Sequence, residues 1–192
     1  MNLPNKLTVA RILATPFFML ALLWNFPYHY LVAIGLFAAA SFTDMLDGKI
    51  ARSRNQITDF GKFLDPLADK MLTTSAFLGF IHAGIGWQIT WIVFIVLFRE
   101  FLIASLRLAV VSGKSGRVIA ANWWGKAKTV SQMVGIVFAM LVAFLKEQFP
   151  GLPGAAGLDW AVSILLWIGA VLCVISGVVY LKQNLSAVDP SR

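Results

Sequence analysis

Six times this sequence runs through roughly twenty largely apolar residues, the length needed to cross the hydrocarbon core of a bilayer. The runs fall at about 7–26, 29–50, 65–83, 87–109, 127–146 and 159–181. They leave no room for a soluble domain. The expected fold is all-α: a polytopic membrane protein of six transmembrane helices, forming one domain over residues 1–192. Between the runs stand residues that interrupt helices. Asn25-Phe26-Pro27 divides the first two, and Gly84-Ile85-Gly86 the third and fourth. The stretch from Gln148 to Gly157 cannot stay helical, because Pro lacks an N–H and Gly is too free. Residues 110–126 are basic and hold three glycines.

Composition agrees. The chain is 59% hydrophobic and 13% charged, against about 45–50% and about 25% in ordinary soluble domains. Disordered chains, coiled coils and most soluble folds are excluded. No repeat at a period of about 20–50 residues and no low-complexity tract is present. The single cysteine, Cys173, excludes an internal disulfide framework and a multi-cysteine zinc site, and reads as packing in the last helix. Lys6 and Arg11 before the apolar run Ile12–Trp24 imitate a signal peptide. No small-x-small cleavage site precedes Pro27, and five more runs follow, so the first helix is expected to be retained.

Lysine and arginine accumulate in cytoplasmic loops. Here 14 of the 16 fall at the termini or at the second-to-third and fourth-to-fifth junctions, which alternation puts on one side. Lys146 falls on the other side, and Arg99 lies within a run. Both termini are therefore expected in the cytoplasm. Trp24, Trp87, Trp91 and Trp160 near the run ends fit an aromatic belt. His29 and His82 are expected at the outer interface, far from the acidic residues. A net charge of +7 suggests anionic partners, lipid headgroups or phosphorylated substrates, rather than a nucleic acid.

Five of the nine acidic residues lie between 44 and 69: Asp44, Asp47, Asp59, Asp65 and Asp69. Asp44 and Asp47 are spaced i, i+3 near the cytoplasmic end of the second run, and so share a helix face. Asp65 and Asp69 are i, i+4 at the start of the third. Two antiparallel helices can thus aim four carboxylates at one place. Ionisable groups in spans are expensive and mark function. Divalent cations would relieve their repulsion, and oxygen-only ligands favour Mg²⁺, Mn²⁺ or Ca²⁺. Asp59 reads as a loop residue or helix cap. Asp65 suits an N-cap with Pro66 at the first helical position. Gly48 and Gly61 allow close backbone approach, Ala51 keeps the surface low, and Arg52 offers a fork for phosphate. Together these describe a metal-bridged pyrophosphate site. Interfacial carboxylates paired with Lys49, Arg52, Lys62 and Lys70 are the plainer alternative, and a cation-coupled transporter is another; the latter would put its acids near the midplane.

The pattern Asp44-x2-Asp47-Gly48-x2-Ala51-Arg52-x8-Gly61-x3-Asp65-x3-Asp69 resembles the signature of the CDP-alcohol phosphotransferase family at all eight specified positions. The flanks Asn5 to Arg11, Pro16, Arg99 to Ile103 and Trp124 to Thr129 resemble its bacterial branch that uses glycerol 3-phosphate. The resemblance implies a homodimeric six-helix enzyme of the bacterial inner membrane with a cytoplasm-facing site. It implies two divalent ions, Mg²⁺ or Mn²⁺, on Asp44, Asp47, Asp65 and Asp69. It implies transfer of the phosphatidyl group of CDP-diacylglycerol to glycerol 3-phosphate with release of CMP. Inositol phosphate, serine or phosphatidylglycerol are the alternative acceptors.

On that footing CDP-diacylglycerol is expected against Asp44, Gly48, Ala51, Arg52 and Gly61. Asp69 is the expected base: neither histidine is near, a lysine beside so many acids would be protonated, and the family gives its counterpart this role. The acceptor phosphate needs a second basic site, for which Arg107, Lys126 and Lys128 are chosen, with Arg11 behind them. Arg99 and Glu100 lie mid-run, which is costly unless they pair or face the bundle interior. Each is expected to find partners on other helices.

Overall fold

The computed structural model describes residues 2–53, 59–112 and 123–184; within these, the side chains of 4, 45–53, 59–63, 65, 69, 109–112 and 184 are outside the described set. The helices are α1 (Leu3–Leu23), α2 (His29–Ser53), α3 (Asp59–Ala83), α4 (Ile89–Ser112), α5 (Trp123–Gln148) and α6 (Ala155–Asn184). No strand occurs among the described residues.

Each expected run corresponds to one helix, though the first overruns the end of α1 at Leu23 and the fourth begins before α4 at Ile89. Asn2 caps α1, its side chain accepting the Asn5 N–H at 3.1 Å. α3 starts at Asp59, not at Asp65, so Pro66 lies inside the helix and Asp65 is no N-cap. The missing Pro66 N–H leaves one intrahelical bond unmade, and the helix runs through it. The break after α5 is shorter than expected. Only 149–154 leave the helix, with Gly151 and Gly154 at positive φ, and Gly157 is inside α6. In a first turn the backbone N–H groups have no intrahelical partner, so glycine costs little there.

Four helices among the described residues hold stretches long and apolar enough to cross a membrane: Asn5–Leu23, Ile89–Leu108, Trp123–Gln148 and Ala155–Gln183. A shorter apolar stretch, His29–Asp44, opens α2. The second half of α2 and the first half of α3 are polar because the aspartate motif lies on them. The protein is therefore a multi-pass helical membrane protein. Trp24, Trp87, Trp91 and Trp160 are all exposed near helix ends, as a belt requires.

α1 packs against α2 and α3, α5 against α6 and α2, and α4 against α6. The interior has three levels. Its middle is apolar: Phe18, Phe37, Phe80, Ile92, Ile136 and Met140 are almost wholly buried, with Cys173 packed among them as expected. Tight approach at α1–α3 rests on Gly79, where a Cβ would come within 2.2 Å of Leu22 Cδ2. Either end of this core is polar. The buried face of α1 illustrates the change, since Asn5, Thr8, Arg11 and Thr15 give way to Phe18 and Leu22 at helical spacing.

Candidate active site

The polar level toward the N-terminus of α1 is built around two carboxylates. Arg11, 2% exposed, extends from α1 to α2, where Nη1 donates to Asp44 Oδ1 at 2.5 Å. The Asp44 side chain is 42% exposed, and its Oδ2 has no partner among the described residues. Arg11 is thus held on the first residue of the aspartate motif. Asp47, Gly48, Ala51 and Arg52 lie within α2, and Gly61, Asp65 and Asp69 within α3. Their side chains are outside the described residues. Asp59 begins α3 rather than standing in a loop. No cluster of three or more His, Cys, Asp or Glu occurs among the described residues.

The second carboxylate is Glu100 on α4, whose side chain is 16% exposed. Lys128 from α5 donates to Oε1, as does Arg99 Nη1 at 3.1 Å. Lys70 from α3 approaches Oε2 at 3.5 Å. Arg99 Nη2 also donates to Ser176 Oγ on α6 at 2.7 Å, and its Nε has no partner among the described residues. Gly177 makes room for this guanidinium, since a Cβ there would meet Arg99 Cγ at 3.0 Å. Side chains of α3, α4 and α5 therefore meet at Glu100, and Arg99 ties α6 to it. Among the described residues three cations surround this one carboxylate, an excess of positive charge that an additional anion would balance. As expected, Arg99 and Glu100 find partners on other helices, and they also bind each other.

The residues chosen for the acceptor phosphate separate into two groups. Lys128 turns into the bundle onto Glu100, and Arg11 is committed to Asp44. Arg107 and Lys126 are exposed. Lys70 and Ser176 belong to the Glu100 cluster; the sequence offered Lys70 only as a partner for the aspartates and did not single out Ser176. Lys70 adjoins Asp69, but nothing in the sequence points it at α4.

His29 is 3% exposed, with Nδ1 3.1 Å from the Ala21 carbonyl oxygen and Nε2 3.2 Å from Glu147 Oε2, a partner the sequence did not point to. The start of α2 folds it inward against the end of α5. His82 remains exposed. Both histidines are at the other end of their helices from the aspartate motif.

Residues 1–175 match the family model described as CDP-alcohol phosphatidyltransferase. The chain belongs to that family. Among curated CDP-alcohol phosphatidyltransferase relatives, the CDP-diacylglycerol–glycerol-3-phosphate 3-phosphatidyltransferase of Bacillus subtilis is 38% identical, over 100% of this chain and 99% of its own length. A probable phosphatidylglycerophosphate synthase of Mycobacterium tuberculosis is 37% identical, over 100% of this chain and 85% of its own. The 3-phosphatidyltransferase of Haemophilus influenzae is 32% identical over 94% and 92%. Residues 1–175 take in α1, the motif on α2 and α3, and Glu100 with Lys70, Arg99 and Lys128, and end one residue before Ser176.

Proposed function

We propose that this protein transfers the phosphatidyl group of CDP-diacylglycerol to glycerol 3-phosphate, releasing CMP and forming phosphatidylglycerol phosphate. The observation that carries the reading is the complete eight-residue motif from Asp44 to Asp69 in a chain that matches 3-phosphatidyltransferases end to end. The enzyme would be a homodimer in the bacterial inner membrane, with its active site and both termini toward the cytoplasm. The clustering of basic residues at one end of the helices supports that orientation.

The donor set suits two divalent ions. Asp44, Asp47, Asp65 and Asp69 are hard oxygen ligands of the type Mg²⁺ or Mn²⁺ prefers. Asp44 engages Arg11 through Oδ1 alone, which leaves Oδ2 for a cation. Such ions, when bound, stabilise charge on the attacking and leaving oxygens of phosphoryl transfer. The chain's own residues do the remainder. Gly48, Ala51 and Gly61 give the cytidine diphosphate close access to backbone, and Arg52 supplies a fork for its phosphates. Asp69 accepts the proton of the acceptor hydroxyl as the new oxygen–phosphorus bond forms and the bond to CMP breaks. Lys128 holds the acceptor phosphate, with Arg107, Lys126 and Arg11 as further basic partners. The excess positive charge around Glu100 supports Lys128 most strongly.

The test is CMP release by purified protein from CDP-diacylglycerol with Mg²⁺, across a panel of acceptors. Release dependent on glycerol 3-phosphate is expected. Preference for inositol phosphate, serine or phosphatidylglycerol would overturn the acceptor while leaving the reaction class. No release with any acceptor would overturn both.

A further inference from the structure

A large cavity lies away from the aspartate motif, at the opposite end of the bundle. It has a volume of about 850 Å³ and is lined by the turn 84–88 and the adjoining ends of α2, α5 and α6. That volume lies within the roughly 300–1,000 Å³ common for small-ligand sites. Its walls are held by specific bonds. The Trp87 N–H donates to Ser163 Oγ at 2.9 Å, that hydroxyl donates to the Asp159 carbonyl at 2.8 Å, and Trp167 Nε1 donates to the Trp87 carbonyl at 3.2 Å.

Five ionisable side chains line it, Tyr30 and two acid–base pairs. Lys146 Nζ is 2.8 and 2.7 Å from the two carboxylate oxygens of Asp159. His29 pairs with Glu147. The Ala21 carbonyl can only accept, so His29 Nδ1 carries a hydrogen. His29 Nε2 lies 3.2 Å from Glu147 Oε2. The cavity thus presents both signs of charge, the Lys146 ammonium beside the Asp159 and Glu147 carboxylates. Glu147 Oε1 has no partner among the described residues. Lys146 has three N–H donors, more than the two oxygens of Asp159 occupy.

Exposed Trp87 and Trp160 stand at the cavity with ring centroids 6.3 Å apart. Tryptophans of this kind lie at headgroup depth, and their faces attract cations. Two turn residues beside the cavity, Tyr28 (φ 62) and Gln88 (φ 54), are the non-glycine residues with positive φ among those described. Such backbone strain gathers at ligand clamps and functional sites.

We propose that this cavity binds the headgroup of a zwitterionic phospholipid bearing a primary ammonium. Glu147 Oε1 accepts from the ammonium, Lys146 donates to the phosphate, and Trp87 and Trp160 cover the methylenes between them. Each carboxylate disfavours an anionic headgroup, and a quaternary ammonium has no N–H for Glu147. The inference stands independently of the acceptor assignment at the other end.

The experiment is native mass spectrometry of the detergent-purified full chain with phosphatidylethanolamine, phosphatidylglycerol and phosphatidylcholine of identical acyl chains. Phosphatidylethanolamine should be retained best. Glu147→Gln should weaken that retention about ten-fold, the scale of losing a hydrogen bond to a charged group. Lys146→Ala should weaken phosphatidylethanolamine and phosphatidylcholine alike. CMP release should be unchanged in both, which certifies folding. Retention of phosphatidylglycerol or phosphatidylcholine equal to phosphatidylethanolamine would overturn the proposal, as would wild-type retention in both variants. Displacement of the lipid by equimolar soluble phosphoethanolamine would replace the lipid with a soluble zwitterion.

Discussion

Replacing Glu100 by Gln keeps the side-chain volume and removes the charge on which three cations converge. Lys128 is the partner that matters most. Its side chain is 11% exposed, and among the described residues it has no other acidic partner. Arg99 retains Ser176, and Lys70, 37% exposed, is closer to solvent. Removing one member of a buried pair costs about 3–5 kcal/mol, because the survivor is left charged and unpaired. Glu100 is not fully buried, so the lower end applies, about 3 kcal/mol. Lys128→Met should cost less, about 1 kcal/mol, since Glu100 keeps Arg99 and Lys70. In the double variant no charge is stranded at Lys128, and the loss should fall to about 1–2 kcal/mol. The singles and the double would then differ from additivity by about 2–3 kcal/mol, as for residues in direct contact. The measurement is SDS unfolding of the four proteins, followed by tryptophan fluorescence. A double variant whose loss equals the sum of the singles, within about 0.5 kcal/mol, would refute the view that Glu100 exists to neutralise Lys128.

Asp44→Ala and chelation by excess EDTA should each abolish CMP release; turnover that persists in chelator would remove the metals from the mechanism. Asp69→Asn at saturating Mg²⁺ should lower kcat by about 10²–10⁴, the usual worth of a general base, with CDP-diacylglycerol still bound, and a near-wild-type kcat would assign the proton elsewhere. Lys128→Ala should raise the KM for glycerol 3-phosphate far more than that for CDP-diacylglycerol and more than Arg107→Ala does; the reverse order would move the phosphate to the exposed arginine. Gly79→Ala should destabilise by up to about 2 kcal/mol: overpacking against Leu22 costs about 1–3 kcal/mol, and helix propensity returns about 1 kcal/mol. Stability at or above wild type would mean that Leu22 swings aside freely.

The six helices were legible because length, low charge and Pro or Gly punctuation all act locally. Their ends were less so. The start of α3 at Asp59 is concealed by a polar first half that hydropathy does not count, and Pro66 imitates a first-turn residue while lying well inside the helix. The aspartate motif is a local pattern and could be read whole. The partners of its neighbours could not. Arg11 and Asp44 are 33 residues apart, and Glu100 and Lys128 are 28 apart. Helical periodicity says which residues share a face, and does not say which face meets which helix. For the same reason a basic count alone could not separate Lys128, inside the bundle, from Lys126, exposed two residues earlier. The partner of His29 was hidden likewise, since only the packing of α2 on α5 turns it toward Glu147.

The Arg11–Asp44 pair also bears on how the protein enters the membrane. Arg11 leaves the ribosome well ahead of its counter-charge, which follows 33 residues later. An arginine in the middle of an inserting helix costs about 2.5–3.5 kcal/mol on translocon scales, and α1 carries Arg11 and Pro16 together. The first helix is thus poorly suited to settle alone in lipid. It gains from waiting at the translocon until α2 arrives, so that the two enter as a hairpin with their charges already joined. Truncations ending before and after Asp44 would reveal this as a step in the insertion efficiency of α1, and a step absent in Asp44→Ala. One ion pair would then serve the finished site and also time its assembly.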